Sequence, residues 1–212
     1  MGYKKLKTCD SQTDISDKFL NIEYDLSEKL SRLTFNDPIF YVYNPLEYAR
    51  ELHVKFVRKY YNTPGADILF LGMNPGPWGM SQTGIPFGDS RIVREWFGIE
   101  GCVSRPEKEH PERKISGLKC ERTELSGTKF WGLMKDICGS PERFFEHCFV
   151  YNICPLAFLS STGTNVTPAE IKVTSIPHPS PRNRKYYSIW ERVTVEKLQE
   201  LGVYQLLEKN QT

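Results

Sequence analysis

The 212-residue sequence lacks most signals that would place it in a familiar functional class. It has no run of 18 apolar residues, so we expect no membrane-spanning helix and no membrane partner. Its basic start is not followed by a hydrophobic signal core, and we therefore expect the chain to stay in the cytoplasm or nucleus. The motifs G-x-x-x-x-G-K-[ST], H-E-x-x-H and G-x-S-x-G are missing, which leaves phosphate-loop, zinc-protease and serine-hydrolase functions without support.

The six cysteines form no C-x-x-C pair, and no histidine lies at zinc-finger spacing. We therefore expect no metal site. Three disulfides are possible by number, but a chain of this length needs no covalent staples, and free thiols are the better prediction. The net charge of +2 does not by itself indicate nucleic-acid binding, although a local basic patch could provide it.

The length and composition fit one compact globular domain. Hydrophobic residues make up 39% of the chain and charged residues 25%. The first 17 residues are polar, so we expect a flexible N-terminus at residues 1–17 and a single domain at residues 18–208.

Apolar spacing predicts helices separated by a few short strands. Continuous apolar runs predict buried strands at residues 67–72 and 149–153 and a third, short strand at residues 173–176. The predicted helices cover residues 19–33, 90–97 and 129–137, a helix opened by Asn44 and Pro45, and a C-terminal helix around Trp190. We expect loops at residues 73–88 and 154–168, and a surface excursion at residues 101–128 with a short hairpin. This order favours an α/β fold with a mainly parallel sheet.

Each predicted strand ends in a polar loop, and ligands of open α/β sheets bind at this edge. In the first loop, Asn74 could orient a water molecule and Phe87 could stack on a flat ligand, although a surface turn with structural glycines fits equally well. Asn152, after the second strand, could read a hydrogen-bonding edge such as that of uracil, but it could also simply cap the strand. After the third strand, His178 could donate to a developing anion and Arg182 could contact phosphate. His53, His110 and His147 are expected to be structural or solvated.

Four segments resemble the single-strand-selective monofunctional uracil-DNA glycosylases. Residues 72–88, GMNPGPWGMSQTGIPFG, resemble the first active-site motif of that family, and residues 178–183, HPSPRN, are similar to the second. Residues 149–156, FVYNICPL, and 127–132, GTKFWG, also match. Because several matches in the right order are specific, the resemblance implies the family's three-layer fold and its activity on DNA.

The resemblance also implies roles for individual residues. Asn74 would position the attacking water, and His178 would stabilise negative charge on the leaving uracil. The base would be held by Met73, Gly76, Phe87 and Asn152. DNA would be contacted by Ser180, Pro181, Arg182, Asn183, Arg184, Lys185, Thr162, Gly163, Thr164 and Asn165. The implied enzyme is a nuclear monomer without cofactor or metal that releases uracil and 5-hydroxymethyluracil-type bases from single- and double-stranded DNA.

The sequence departs from the family between Glu170 and His178, where only seven residues stand. The family has a helix, a strand and another helix there, and a strand–helix–strand unit takes roughly 30 residues. We therefore expect one strand fewer, with an apolar face left uncovered beside the first strand. Three hypotheses stay open: an active glycosylase, a catalytically impaired DNA-binding relative, and a poorly folded fragment.

Overall fold

The computed structural model describes residues 14–167, 179 and 186–200. Within these residues the chain forms eight α-helices and five short strands. The helices are α1 (Ile15–Leu30), α2 (Pro45–Tyr48), α3 (Arg50–Tyr60), α4 (Met80–Thr83), α5 (Ser90–Glu95), α6 (Leu125–Cys138), α7 (Pro141–Phe145) and α8 (Trp190–Glu200). The strands are β1 (Tyr41–Tyr43), β2 (Ile68–Gly72), β3 (Cys148–Asn152), β4 (Ala157–Leu159) and β5 (Asn165–Val166).

Strands β2 and β3 form a parallel pair, as the two apolar runs predict. Ile68 pairs with Cys148, and Gly72 pairs with Asn152 at the other end. The carboxyl ends of both strands therefore stop at the same level. The remaining strands form a separate antiparallel sheet in the order β1, β4, β5. The mixed α/β class is confirmed, whereas the three-layer arrangement, the mainly parallel sheet and the lost strand stay predictions.

Local sequence signals explain where several helices begin. The Asp89 side chain accepts hydrogen bonds from the backbone N–H groups of Arg91 and Ile92 at the start of α5, and Asp14 caps α1 in the same manner through Ser16. Helix α1 therefore begins at Ile15, earlier than residue 19. Pro45 opens α2 as predicted, but the Asn44 side chain makes no capping bond there.

The structure corrects three sequence predictions. Residues 101–124 contain a 3₁₀ turn at Gly117–Lys119 and no hairpin. The predicted loop at residues 154–168 contains β4 and β5. Helix α1 buries Leu20, Glu23 and Ser27, whereas Ile22 on the predicted apolar face is 67% exposed. The predicted strand at residues 173–176 lies outside the described residues.

The core is rich in aromatic side chains. Phe56 of α3, Trp131 of α6 and Phe144 of α7 are fully buried and belong to one hydrophobic cluster behind the β2–β3 pair. This cluster fixes the strand pair against three helices, and burial of each aromatic ring removes a large apolar area from water. None of the helices described is long and apolar enough to cross a membrane.

Candidate active site

The site is built where the two parallel strands end. Beyond Gly72 and Asn152, the Ile153 N–H donates to the Gly72 carbonyl at 2.9 Å, and the Cys154 N–H donates to the Met73 carbonyl at 2.9 Å. These bonds continue the ladder past the strands themselves. The two loops therefore leave the sheet side by side, which brings the segments around Asn74 and Asn152 together.

Gly72 is the point at which two predicted substrate-binding side chains meet. A side-chain carbon added at Gly72 would overlap Asn152 Oδ1 and lie 3.0 Å from Phe87 Cζ. Real side-chain carbons do not approach so closely, so a side chain at position 72 would have to displace Asn152 and crowd Phe87. The structure thus brings together Asn152 and Phe87, which are far apart in the chain.

Phe87 adopts an unusual backbone conformation. Its φ of 54° is the only positive value at a non-glycine residue among those described. Its ring stacks on Phe130 of α6 with a centroid distance of 4.9 Å and an angle of 29°. Strained backbone of this kind persists where the surroundings hold it, often at functional sites. The half-buried ring can therefore serve as a fixed flat surface.

Asn152 is buried, with 4% of its surface exposed. Its Nδ2 donates to Met80 Sδ at 3.1 Å. A thioether sulfur is a weak acceptor, and the amide carries a second N–H and a carbonyl with two lone pairs. The side chain is therefore held in place without using its full hydrogen-bonding capacity.

Asn74 stands two residues beyond the end of β2 and is half-buried. Its Nδ2 atom is buried and has no hydrogen-bond partner among the described residues. Burying an unpaired amide nitrogen is costly, and such groups in native proteins call for an explanation. A water or ligand atom in the site would satisfy it.

The loop between β2 and α5 is pinned to its surroundings at several points. The Tyr48 hydroxyl donates to the Ser81 carbonyl at 2.6 Å, and Trp131 Nε1 donates to the Pro86 carbonyl at 3.2 Å. Gln82 Nε2 donates to the Pro77 and Lys114 carbonyls. A loop fixed in this way can hold a reacting group still, as catalysis requires.

A buried ion pair between α1 and α3 supports the same loop through a hydrogen bond to its Gly84 carbonyl. His53 Nε2 lies 2.6 Å from Glu23 Oε2, and His53 Nδ1 lies 2.7 Å from the Gly84 carbonyl. Burial alone would lower the pKa of His53, but the Glu23 carboxylate and the Gly84 carbonyl raise it above 6.5 overall. A protonated His53 donates to both partners, so α1 and α3 are tied to the loop, and His53 is structural as predicted.

Glu124 is a site residue that the sequence analysis missed. A side-chain carbon added at Gly76 would overlap the Glu124 carboxylate, which places this carboxylate against the loop that carries Asn74. Burial raises the pKa of Glu124, and contacts with the backbone of Ser126 and Trp78 partly offset the rise. The local sequence carries no signal for this contact, because it forms only when residues 101–124 fold back onto the loop.

The predicted DNA contacts fall into two groups. Thr162 and Thr164 are exposed in the turn between β4 and β5, Gly163 between them is buried, and Asn165 begins β5. The hydroxyl groups of Ser160, Thr162 and Thr164 bond to one another at 3.0 and 3.2 Å. The remaining predicted residues lie outside the described part of the chain: His178, Ser180, Pro181, Arg182, Asn183, Arg184 and Lys185.

The described residues contain no group of three or more His, Cys, Asp or Glu side chains that could hold a metal ion. Five cysteines among them carry free thiols, and burial raises the pKa of Cys120, Cys148 and Cys154. Cys120, Cys148 and Cys154 are therefore poor nucleophiles, and the chemistry of the proposed site falls to amides, an aromatic ring and one carboxyl group.

No protein-family model matches the chain. Curated proteins do match, and three of them are each named a single-strand-selective monofunctional uracil-DNA glycosylase. The rat protein is 39% identical over 91% of this chain and 87% of its own length. The mouse protein is 38% identical with the same coverage, and the bovine protein is 38% identical over 93% of this chain and 90% of its own. A crystal structure of Pedobacter heparinus SMUG2 matches with a TM-score of 0.48 and 22% identity, over 92% of this chain and 71% of that one.

These relatives define a class of hydrolases that act on N-glycosyl bonds in base excision repair. Identity near 39% over most of both chains is far above chance similarity. The chain belongs to the family of single-strand-selective monofunctional uracil-DNA glycosylases.

The alignments also bear on the expected gap. The match to the rat protein extends over 243 positions, whereas this chain has 212 residues. The aligned part is 91% of this chain, about 193 residues, so about 50 of those positions (243 minus 193) have no counterpart here. This is more than the roughly 30 residues of one strand–helix–strand unit, and the position of the gap before His178 stays a prediction from the sequence.

Proposed function

We propose that this chain hydrolyses the N-glycosidic bond of uracil in single-stranded DNA. The observation that carries the proposal is the meeting of Asn152 and Phe87 at Gly72, with Asn74 two residues further along the chain. An enzyme acting on a base must take it out of the stack. These side chains supply a flat surface and a polar edge for an everted base in one place.

Recognition of uracil follows from the groups that Asn152 offers. Uracil presents a donor at N3 beside an acceptor at O4, and one amide side chain matches both with its carbonyl and its N–H. The amide carbonyl points at the tip of β2, beside the Phe87 ring that would cover the face of the base. The backbone of Met73 and Gly76 would line the remaining wall of the pocket.

The proposed reaction is attack by water on an oxocarbenium-like sugar. Asn74 would orient the water, because its unpaired amide needs a partner in the site. An amide is a poor proton acceptor, so most of the stabilisation must go to the departing base. We assign this role to His178, which would donate to the negative charge on uracil O2. One such donor is worth about 2.7–4 kcal/mol. The proposed chemistry calls for no metal ion or cofactor.

Further substrates, a further DNA partner, the cellular location and the oligomeric state belong to the same proposal. We propose 5-hydroxymethyluracil-type bases as further substrates, and double-stranded DNA as a further partner in which Arg182 fills the gap left by the everted nucleotide. We place the protein in the nucleus, acting as a monomer through a single domain of residues 18–208.

A DNA-binding relative with impaired catalysis is the second candidate function. It is favoured by the roughly 50 positions of the rat relative that have no counterpart in this chain (243 minus about 193). Loss of sheet structure next to the site would displace His178, and a shift of about 1 Å can reduce a rate 100-fold.

Single-turnover release of uracil from a single-stranded oligonucleotide separates the two candidates. We expect abasic product with the wild-type chain and at least a 100-fold slower reaction with the Asn74→Ala and His178→Ala variants. Lys18→Gln, at an exposed position in the first turn of α1, provides a control. Salt-dependent DNA binding with no abasic product at stoichiometric enzyme would contradict the first candidate and support the second.

A further inference from the structure

Two arginines lie over one tryptophan beside the candidate active site. The guanidinium carbons of Arg113 and Arg122 are 5.1 and 4.9 Å from the centre of the Trp78 ring. Trp78 belongs to the loop that carries Asn74 and lies four residues after it. The two cations therefore stand no further apart than about 10 Å, which is comparable to the screening length of physiological salt.

Neither cation is paired with a carboxylate in the part of the chain that the structure describes. Within residues 14–167, 179 and 186–200, no carboxylate lies within ion-pair distance of Arg113 or Arg122. The neighbouring carboxylates of Glu112 and Glu121 are exposed and make no such contact with them. Two like charges near one ring repel each other, and an anion between or beside them would relieve the repulsion.

Arg113 is oriented by the protein, whereas Arg122 is open to a ligand. Arg113 Nε donates to the Gly163 carbonyl at 2.9 Å and its Nη1 donates to the Glu112 carbonyl at 3.0 Å. These bonds link Trp78 to the turn at residues 162–164. The exposed Arg122 side chain makes no hydrogen bond to the other described residues. Its guanidinium therefore keeps its donors for an external acceptor while the indole limits its movement.

The backbone under this pair is fixed to the loop of the site. Gln82 Oε1 accepts from the N–H groups of Ser116 and Gly117 at 2.8 and 3.2 Å, and its Nε2 donates to the Pro77 carbonyl at 3.0 Å. On the other side, the Glu124 carboxylate lies against Gly76. The stretch that carries both arginines is consequently tied to the loop of Asn74, as a register-setting contact requires.

We propose that Arg113, Arg122 and Trp78 form a phosphate-binding surface for the DNA strand that carries the target nucleotide. The inference rests on the proposed function, because it assumes that the strand enters the pocket at Asn74. Guanidinium groups bind phosphate oxygens through paired N–H donors. The surface grips the backbone next to the everted nucleotide and sets the register, without reading the base sequence.

The test measures binding separately from catalysis. Affinity of the full-length chain for a uracil-free single-stranded oligonucleotide is followed by fluorescence anisotropy over a series of salt concentrations. We expect Arg122→Gln to weaken binding about fivefold to tenfold and to reduce the slope of log K against log salt by about 0.7, the value for one lost phosphate contact on a single strand. Arg122→Lys keeps the charge and should keep most of the slope.

Arg32→Gln is the matched control, because Arg32 is exposed just beyond α1 and the substitution removes the same single positive charge. An Arg122→Gln slope equal to that of Arg32→Gln would overturn the inference. If the wild-type chain releases no uracil but its DNA affinity still depends on Arg122, the proposed function fails while the phosphate-binding surface stands.

Discussion

The two parallel strands differ in how their shared outer face is covered. On β3, Phe149 and Tyr151 pack against Phe19 of α1 at centroid distances of 5.3 and 5.6 Å. Their register partners on β2, Leu69 and Leu71, are 56% and 44% exposed. Helix α1 therefore covers one half of the face and leaves the other half open. This is the face that the sequence predicts to lose cover beside the first strand.

The inner face shows the opposite result, because both strands are packed there. Phe70 of β2 stacks near Phe144 and meets Phe130 edge-on, while Val150 of β3 is fully buried. Gly72 ends this inner face and holds the candidate base pocket. The comparison indicates that the pocket depends on the packed side of the strand pair and not on the open side.

The largest expected effect is on the rate of uracil release, and it comes from adding a side chain at Gly72, the last residue of β2. Gly72→Ala should slow single-turnover uracil release more than 100-fold, because the added methyl group would displace Asn152 and Phe87 together. Gly132→Ala is the control: nothing lies within 4 Å of its added carbon, and the change in α6 should stabilise the fold by about 0.5–1 kcal/mol. Activity in Gly72→Ala close to that of Gly132→Ala would show that the pocket lies elsewhere.

The second largest expected effect is on stability, and it comes from the ion pair between Glu23 of α1 and His53 of α3. Glu23→Ala should lower the free energy of unfolding by about 3–5 kcal/mol, because it leaves a buried, uncompensated His53. Glu28→Ala removes the exposed pair with Arg32 and should cost about 0–1 kcal/mol. Urea unfolding measures both, and equal losses would contradict the role of the buried pair.

The same pair predicts a pH dependence. The folded state holds the His53 proton more tightly than the unfolded state does, since the pKa of His53 is raised above 6.5. This contribution is fully present below pH 6.5 and is lost as the pH rises through the raised value. The wild-type chain should therefore lose stability above pH 6.5 more steeply than a Glu23→Gln variant.

The open and covered halves of the outer face can be compared directly. Phe149→Ala should cost about 3 kcal/mol, because its ring packs on Phe19 and on Tyr61. Leu69→Ala, at the paired position of β2, should cost less than about 0.5 kcal/mol. A similar cost at both positions would reveal that Leu69 is covered in solution and would break the comparison.

The smallest effect is expected on the pH dependence of stability, through the carboxyl group of Glu124. Burial raises its pKa above 4.5, so the folded chain binds this proton more tightly, and stability should fall as the pH rises from 4.5 through the raised value. Glu124→Gln keeps the shape of the side chain and should flatten this part of the pH profile. An unchanged profile would mean that Glu124 is ionised beside the loop.

The parts of the fold that follow from short, strong patterns could be predicted. The strands β2 and β3 are continuous apolar runs, and α6 has clear helical spacing, so each was recognised. The strands β1 and β4 are three residues long, and they exist because Tyr41 pairs with Leu159, far along the chain. No local pattern reports such a pairing, since a three-residue strand is stable only through its partner.

The residues of the candidate site also differ in whether a local sequence pattern predicts them. Asn74, Phe87 and Asn152 stand in recognisable motifs, and their convergence follows from parallel strands that end together. Glu124 and the contacts of Trp78 with Arg113 and Arg122 could not be predicted. They arise from a stretch without periodicity that folds back over the loop, where Gln82 holds it.

Titration of uracil into the ¹⁵N-labelled chain tests most directly whether the tips of β2 and β3 form one base pocket. The account predicts that the side-chain amides of Asn152 and Asn74 and the backbone amide of Gly72 shift together along one saturating curve. Shifts confined to other parts of the chain, or no saturable shift at these three groups, would contradict it.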